Sequence, residues 1–225
     1  MINICVITTA RSDYGILKPL ILKLQRSKKF RYSLLVSGNH SNTFFGNTIK
    51  EIKSDKIKNY KVIKINFRKS KDYTLDISRE IFDKFVKFFK LKNFDLIILL
   101  GDRFEILPIA NVAVLKNIPI AHIHGGEVTE GAIDEYVRHA ITKLSSLHFV
   151  SNQQYKDRII KMGDNPKNVF LVGHLGIDFD KNNFLLDKKL LKKKIGIKNN
   201  NKSISIAIHP ETKNTNFKKN IEVFF

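Results

Sequence analysis

The apolar positions of this chain fall into two alternating rhythms. Short, mostly apolar runs occur at residues 2–8, 32–37, 61–65, 95–100, 118–123, 148–150 and 169–172. Runs of that length bounded by glycine or charge are expected of strands in a buried parallel sheet. Between them lie segments whose apolar residues recur every three or four positions, as on one face of a helix. Residues 15–25 carry Ile16, Leu17, Leu20, Ile21 and Leu24 in this spacing, and residues 74–91 carry Ile77, Ile81, Phe85, Phe88 and Phe89. Further helices are expected at 104–116, 133–144, 153–162 and 188–194. Strands alternating with helices predict an α/β fold with a doubly wound parallel sheet.

The pattern changes after Gly173. Residues 179–202 are rich in Lys, Asn and Leu and read as a linker with a helix ending at Gly196; the Asn199-Asn200-Asn201 tract supports this. Residues 203–210 then predict another strand, ending on His209 and Pro210. One strand and the start of a helix are too little for a domain of their own. The expected organisation is therefore an N-terminal domain at 1–178, a linker and helix at 179–202, and the truncated start of a second α/β domain at 203–225.

Composition narrows the function classes. A hydrophobic fraction of 43% allows a sizeable core. The single cysteine, Cys5, excludes an intramolecular disulfide framework and a cysteine-based zinc site, and it reads as a small core residue. No apolar run approaches a membrane span, and no signal peptide is evident, so a cytoplasmic protein without a membrane partner is expected. The net charge is +19, but eight of the 40 basic residues are arginine and the lysines are scattered along the whole chain. Nucleic-acid readers lean on arginine forks and exposed aromatics, so no nucleic-acid partner is expected, whereas an anionic small substrate suits the charge.

Candidate chemistry lies where strands end, since ligands of open α/β sheets bind beyond the carboxyl ends of strands. The run 95–100 stops on Gly101, Asp102 and Arg103. Charges placed there cost desolvation and so usually have a partner or a task. After the first strand, Thr8-Thr9-Ala10-Arg11-Ser12-Asp13 leads into a helix. Ser12 or Asp13 can cap it, and the free amides with Arg11 form a potential anion site; an ordinary cap with a surface arginine is the plainer alternative. In His122-Ile123-His124-Gly125-Gly126-Glu127, strand alternation would put both histidines on one face. A metal held by Asp102, His122, His124 and Glu127 is a weaker reading, and His122 alone reads as a satisfied core histidine. Asp134 and Arg138 have the spacing of an intrahelical ion pair, or of a carboxylate held toward a cleft. Asp102, Glu127 and Asp134 together could divide general-acid and general-base work. Neither a G-x-G-x-x-G nor a Walker sequence is present, so a standard dinucleotide or P-loop site is not expected.

Six segments, in order along the chain, resemble the hydrolysing UDP-N-acetylglucosamine 2-epimerases of sialic-acid and legionaminic-acid pathways. They are 9–15 (TARSDYG), 36–40 (VSGNH), 101–105 (GDRFE), 122–127 (HIHGGE), 133–143 (IDEYVRHAITK) and 209–212 (HPET). The resemblance implies two Rossmann-like domains facing a cleft, as in GT-B glycosyltransferases, a UDP-sugar substrate, no metal or redox cofactor, and a homodimer at full length. It implies anti-elimination of UDP and addition of water, releasing the free C2-epimeric sugar. Carried residue by residue, Asp102 and Asp134 match catalytic carboxylates, and His40 matches a histidine linked to the hydrolysing branch. Arg11 would meet the UDP phosphates with His209 facing them across the cleft, while Arg103 and Arg138 would bind and orient substrate. Some relatives carry glutamate where this chain has His124, so the second acid position falls on Glu127 or on His124. A non-hydrolysing 2-epimerase, a GT-B glycosyltransferase or a non-catalytic UDP-sugar-binding fragment are the alternatives.

Overall fold

A computed structural model of the chain describes residues 1–42, 46–67, 71–177, 187–196, 204 and 206. It divides into two units, Met1–Gly176 and Ile177–Phe225. The first is built on seven strands: β1 (Ile2–Thr8), β2 (Phe30–Val36), β3 (Tyr60–Val62), β4 (Leu96–Leu100), β5 (Ile120–Ile123), β6 (Leu147–Val150) and β7 (Val169–Leu171). All pairs are parallel, in the order β3-β2-β1-β4-β5-β6-β7. The direction of winding reverses between β1 and β4, and ligand crevices of doubly wound sheets open at this place.

Helices α1 (Arg11–Arg26), α2 (Ile49–Ser54), α3 (Tyr73–Leu91), α4 (Ile106–Leu115), α5 (Ile133–Leu144) and α6 (Gln153–Lys161) complete this unit. Strand alternation divides the core between the two faces. Ile4 and Val6 of β1 join Leu17 and Ile21 of α1 and Ile52 of α2 on one face. Cys5 and Ile7 join Ile81, Phe85 and Phe89 of α3, Ile109 of α4 and Ile141 of α5 on the other. Cys5 is a free, fully buried thiol. In the second unit, α7 (Lys188–Ile195) ends on Gly196, whose φ of 74° is a left-handed cap.

The expected strands and helices are present with small shifts in their ends. One larger difference is α1, which begins at Arg11 rather than 15, so Ser12 and Asp13 lie inside it. Another is α2, whose six residues are too few to register a helical period; its only fully buried side chain is Ile52. The strand expected from 118 begins at Ile120, because Asn117 takes a left-handed φ of 53° and Pro119 has no N–H to give a ladder. Apart from residues 204 and 206, the strand expected at 203–210, with the Asn199–Asn201 tract and His209, lies outside the described residues. Among the described residues no helix is long and apolar enough to cross a membrane.

Candidate active site

A cavity of about 300 Å³ opens at the carboxyl ends of β1, β4 and β5. The head of α1 contributes Ser12, Asp13 and Ile16; the end of β4 contributes Leu100, Gly101, Asp102 and Arg103. Beyond β5 come His124 and Glu127, and α5 adds Asp134 and Arg138. Six of the nine residues to which the resemblance gives a role therefore line one space: Asp102, Arg103, His124, Glu127, Asp134 and Arg138.

Asp102 is gripped by Arg138, whose Nη2 contacts its Oδ2. The same guanidinium donates to Thr129 Oγ1 at 2.9 Å and lies 3.5 Å from Glu135. Arg138 is nearly buried, and burial pulls its guanidinium below the ordinary value. The ion pair expected within α5 between Asp134 and Arg138 is thus replaced by a longer-range one: Arg138 holds the carboxylate at the end of β4. That bond converts a sequence neighbour of Asp134 into a brace for Asp102.

Arg103 turns to Glu105, donating from Nη2 to Oε1 at 2.7 Å. Burial acts to lower the Arg103 pKa, but the charge and hydrogen bond of Glu105, itself 1% exposed, together with the charges of Asp13 and Asp134 outweigh it and push the guanidinium up. Arg103 therefore stands as a fixed cation on the cavity wall.

The Gly125-Gly126 turn lets the chain after β5 fold tightly onto α6. Gly126 has φ +72°, and a Cβ there would come within 2.8 Å of the Tyr155 carbonyl and of Ile159. Arg158 of α6 donates to the Gly126 carbonyl and locks the turn. The turn presents Glu127, which accepts from Ser151 Oγ at 3.0 Å. Burial raises the Glu127 pKa, partly offset by this hydrogen bond, so its proton is retained to higher pH.

His124 adopts φ +60°, uncommon for a residue with a side chain. The expectation that His122 and His124 share a strand face fails here, because β5 ends at Ile123 and the chain leaves extended geometry at His124. The two rings take separate partners. His124 Nδ1 lies 3.7 Å from Glu127, its Nε2 faces the Leu175 amide at 3.5 Å, and its ring packs against His174 with centroids 4.3 Å apart. Burial, then the charge of His174, lowers its pKa to about 4, leaving it neutral at physiological pH. His174 was not singled out in the sequence; nothing local in Gly173-His174-Leu175 marks it, since it meets His124 only where the chain after β7 reaches the loop after β5.

Two other expected residues stand elsewhere. Arg11 is an exposed residue bridged to Glu51 of α2 at 2.8 Å. At the head of α1, Asp13 folds back onto the residues just before the helix. Its Oδ2 accepts from Thr9 N, Thr9 Oγ1 and Ala10 N at 2.8–3.2 Å. His40, in a single turn of tight helix at Gly38–Ser41, is fully buried. Its Nε2 meets Thr8 Oγ1 at 2.9 Å and its Nδ1 meets Thr48 Oγ1 at 2.8 Å. Both nitrogens are engaged, and burial with the nearby Arg103 charge lowers its pKa to about 4. The structure does not bring His40 to the cavity surface. Nor do Asp102, His122, His124 and Glu127 converge as a metal site: among the described residues no group of three or more His, Cys, Asp or Glu has that geometry.

Known proteins with the same pattern are identifiable. The sequence profile of the family described as UDP-N-acetylglucosamine 2-epimerase matches residues 22–225. Over 218 residues the chain is 37% identical to the polysialic acid biosynthesis protein P7 of Escherichia coli, covering 96% of this chain and 55% of that protein. It is 35% identical over 216 residues to the GDP/UDP-N,N'-diacetylbacillosamine 2-epimerase (hydrolyzing) of Campylobacter jejuni, covering 94% and 55%. The fold matches the crystal structure of UDP-GlcNAc 2-epimerase from Neisseria meningitidis bound to UDP-GlcNAc, with a TM-score of 0.73, 18% identity, and coverage of 87% of this chain and 54% of that one. The chain thus spans about half the length of the curated relatives it matches. On this sequence similarity, the chain belongs to the UDP-N-acetylglucosamine 2-epimerase family.

Proposed function

We propose that this chain carries the catalytic wall of a hydrolysing UDP-2-acetamido-sugar 2-epimerase. The observation that carries the reading is Asp102, braced by Arg138 on a cavity that also holds Asp134, Glu127, His124 and the fixed cation Arg103. Relatives named as hydrolyzing 2-epimerases support the reaction class.

The chemistry requires a base for the C2 proton and stabilisation of a departing diphosphate. As the proton leaves C2, the C1–O bond to UDP breaks and its former C2–H electron pair forms the C1=C2 bond. Water then adds its oxygen to C1, and a proton returns to C2 on the other face, giving the free epimer. Asp102, with its orientation held by Arg138, accepts the first proton, and Asp134 shares the carboxylate work. Glu127 supplies the returning proton, since burial keeps it protonated to higher pH, and regains it from solvent, while neutral His124 beside it contacts the substrate as a hydrogen-bonding group. Arg103 steadies the diphosphate, and Arg11 exchanges Glu51 for it. His40 acts from beneath the wall, holding the loop after β2. Residues 203–225 are assigned to the opening of a second α/β domain, with His209 facing the phosphates. The acting form is assigned as a cytoplasmic homodimer with neither a nucleic-acid partner nor a cofactor.

The test is product analysis with UDP-N-acetylglucosamine and its 2,4-diacetamido relatives. The assay is run on this chain alone and on the chain joined to the part of the E. coli relative beyond the match. Free C2-epimeric sugar and UDP in equal amounts are expected. Retained but epimerised UDP-sugar would assign the non-hydrolysing reaction instead, and tight UDP-sugar binding with no release from either form would assign a non-catalytic binding role.

A further inference from the structure

His122 is a fully buried ring that has no part in the chemistry above, yet its two nitrogens reach two different elements of the site. Nε2 lies 2.7 Å from the carbonyl oxygen of Gly101, the residue immediately before Asp102. A carbonyl only accepts, so Nε2 carries the proton and Nδ1 is bare. Thr142 Oγ1, 3.2 Å from Nδ1, therefore donates to it. Thr142 lies one turn beyond Arg138, at the i+4 position that shares its face of α5. The helix thus holds residues 101 and 102 at two points: Arg138 takes the Asp102 carboxylate, and Thr142 acts through His122 on the Gly101 carbonyl.

A second observation shows that the surroundings are built to fit this relay. A Cβ on Gly125 would lie 2.8 Å from His122 Nδ1 and 3.0 Å from Thr142 Oγ1, so any side chain there would wedge the two apart. Gly125 is not among the residues with positive φ, so its backbone does not require glycine; the relay does.

We infer that His122 is a positioning residue for the reaction, orienting Asp102 through the Gly101 carbonyl and registering the end of β4 against α5. The inference rests on the reading of Asp102 as a working carboxylate. His122 touches no substrate; its contribution is to hold a reacting group within the fraction of an ångström that turnover requires.

Three variants test it. His122→Leu removes both hydrogen bonds, Gly125→Ala displaces them without altering a member, and His122→Gln restores a donor at the reach of Nε2. Residue-resolved hydrogen exchange on the 225-residue chain reads the positioning without turnover. Exchange at Gly101 and Asp102 is expected to speed up by about tenfold or more in the Leu and Ala variants and by less than about threefold in the Gln variant, with β1 and α3 unchanged. In the product assay, kcat is expected to fall by about a hundredfold in the first two while KM stays within about threefold, with Gln recovering most of the loss. Wild-type exchange at Gly101 in His122→Leu, or in Gly125→Ala should the Leu variant not fold, would overturn the inference. So would faster exchange spread evenly over the sheet in Gly125→Ala and His122→Gln, which marks a general packing role. An absence of turnover in every form, wild type included, would defeat the proposed function while the exchange contrast still decided the role of His122.

Discussion

Two neighbouring pairs of strand ends in this molecule, those of β1 and β2 and those of β4 and β5, are lined with polar side chains and finished in different ways. After β1 and β2, polar groups close on one another: His40 is satisfied by Thr8 and Thr48, and Asp13 gathers the Thr9 hydroxyl and the Thr9 and Ala10 amides. After β4 and β5 the groups face a cavity, and their charges are braced from behind by Arg138, Glu105 and Ser151. In the first region His40 is buried with both ring nitrogens engaged inside the protein, which specifies structure. The second is a set of oriented groups with capacity left for a ligand, which suits chemistry. A histidine in a matching motif can belong to either, and only its partners tell which.

The comparison breaks most decisively at Asp102. Asp102→Asn keeps the shape and an acceptor for Arg138 but loses the base, so UDP release should fall by about a thousandfold or more with melting nearly unchanged. Undiminished release would remove Asp102 from the chemistry. Glu127→Gln should cost about a hundredfold and abolish the limb of the pH–rate profile that reflects its raised pKa. If that limb persists in the Gln variant, the proton donor is another group.

On the closed side the effects should appear in stability instead. His40→Ala strands the Thr8 and Thr48 hydroxyls in a dry pocket and should cost about 2–4 kcal/mol in denaturant unfolding, while any folded fraction retains binding of UDP. A His40→Gln variant that melts normally but has lost turnover would move His40 to the working side. Acid gives a related test. His40 and His122 have folded pKa values of about 4, below the unfolded value of about 6.5, so between these the unfolded chain binds more protons. Stability should therefore be full above pH 7 and decline as pH falls from 6.5 toward 4, by on the order of 3 kcal/mol for each such ring. Unfolding free energies measured at pH 7.5 and 5 that coincide would mean that these rings are charged or exposed. The smallest effect belongs to Arg11: exposed and bridged to Glu51, its Gln variant should raise KM by about threefold to tenfold and leave kcat alone.

Much of the candidate site was legible because strand ends announce themselves. An apolar run halted by Gly101, Asp102 and Arg103 has few explanations, and the doubly wound pattern says where such ends gather. The identity of Arg138's partner was not legible. Spacing within α5 favoured Asp134, but a long arginine on a buried face reaches whichever carboxylate the sheet brings to it, and here that is Asp102, 36 residues earlier in the chain. His174 was equally invisible, lying next to His124 only through the β5-β6-β7 order. The start of α1 was misjudged for a local reason: Asp13 folds back three and four residues to accept from Ala10 and Thr9, so the helix starts earlier.

The amino-acid sequence by itself determined the alternation of strand and helix, the faces that are buried, and the short list of polar residues at strand ends, because hydrophobic periodicity and glycine placement act within a few residues. The division of those polar residues into satisfied and available ones was decided by the tertiary structure alone. Whether a histidine nitrogen meets a threonine hydroxyl or a cavity depends on which distant elements the sheet order sets side by side, and a buried polar group is stabilised by whatever partner arrives there.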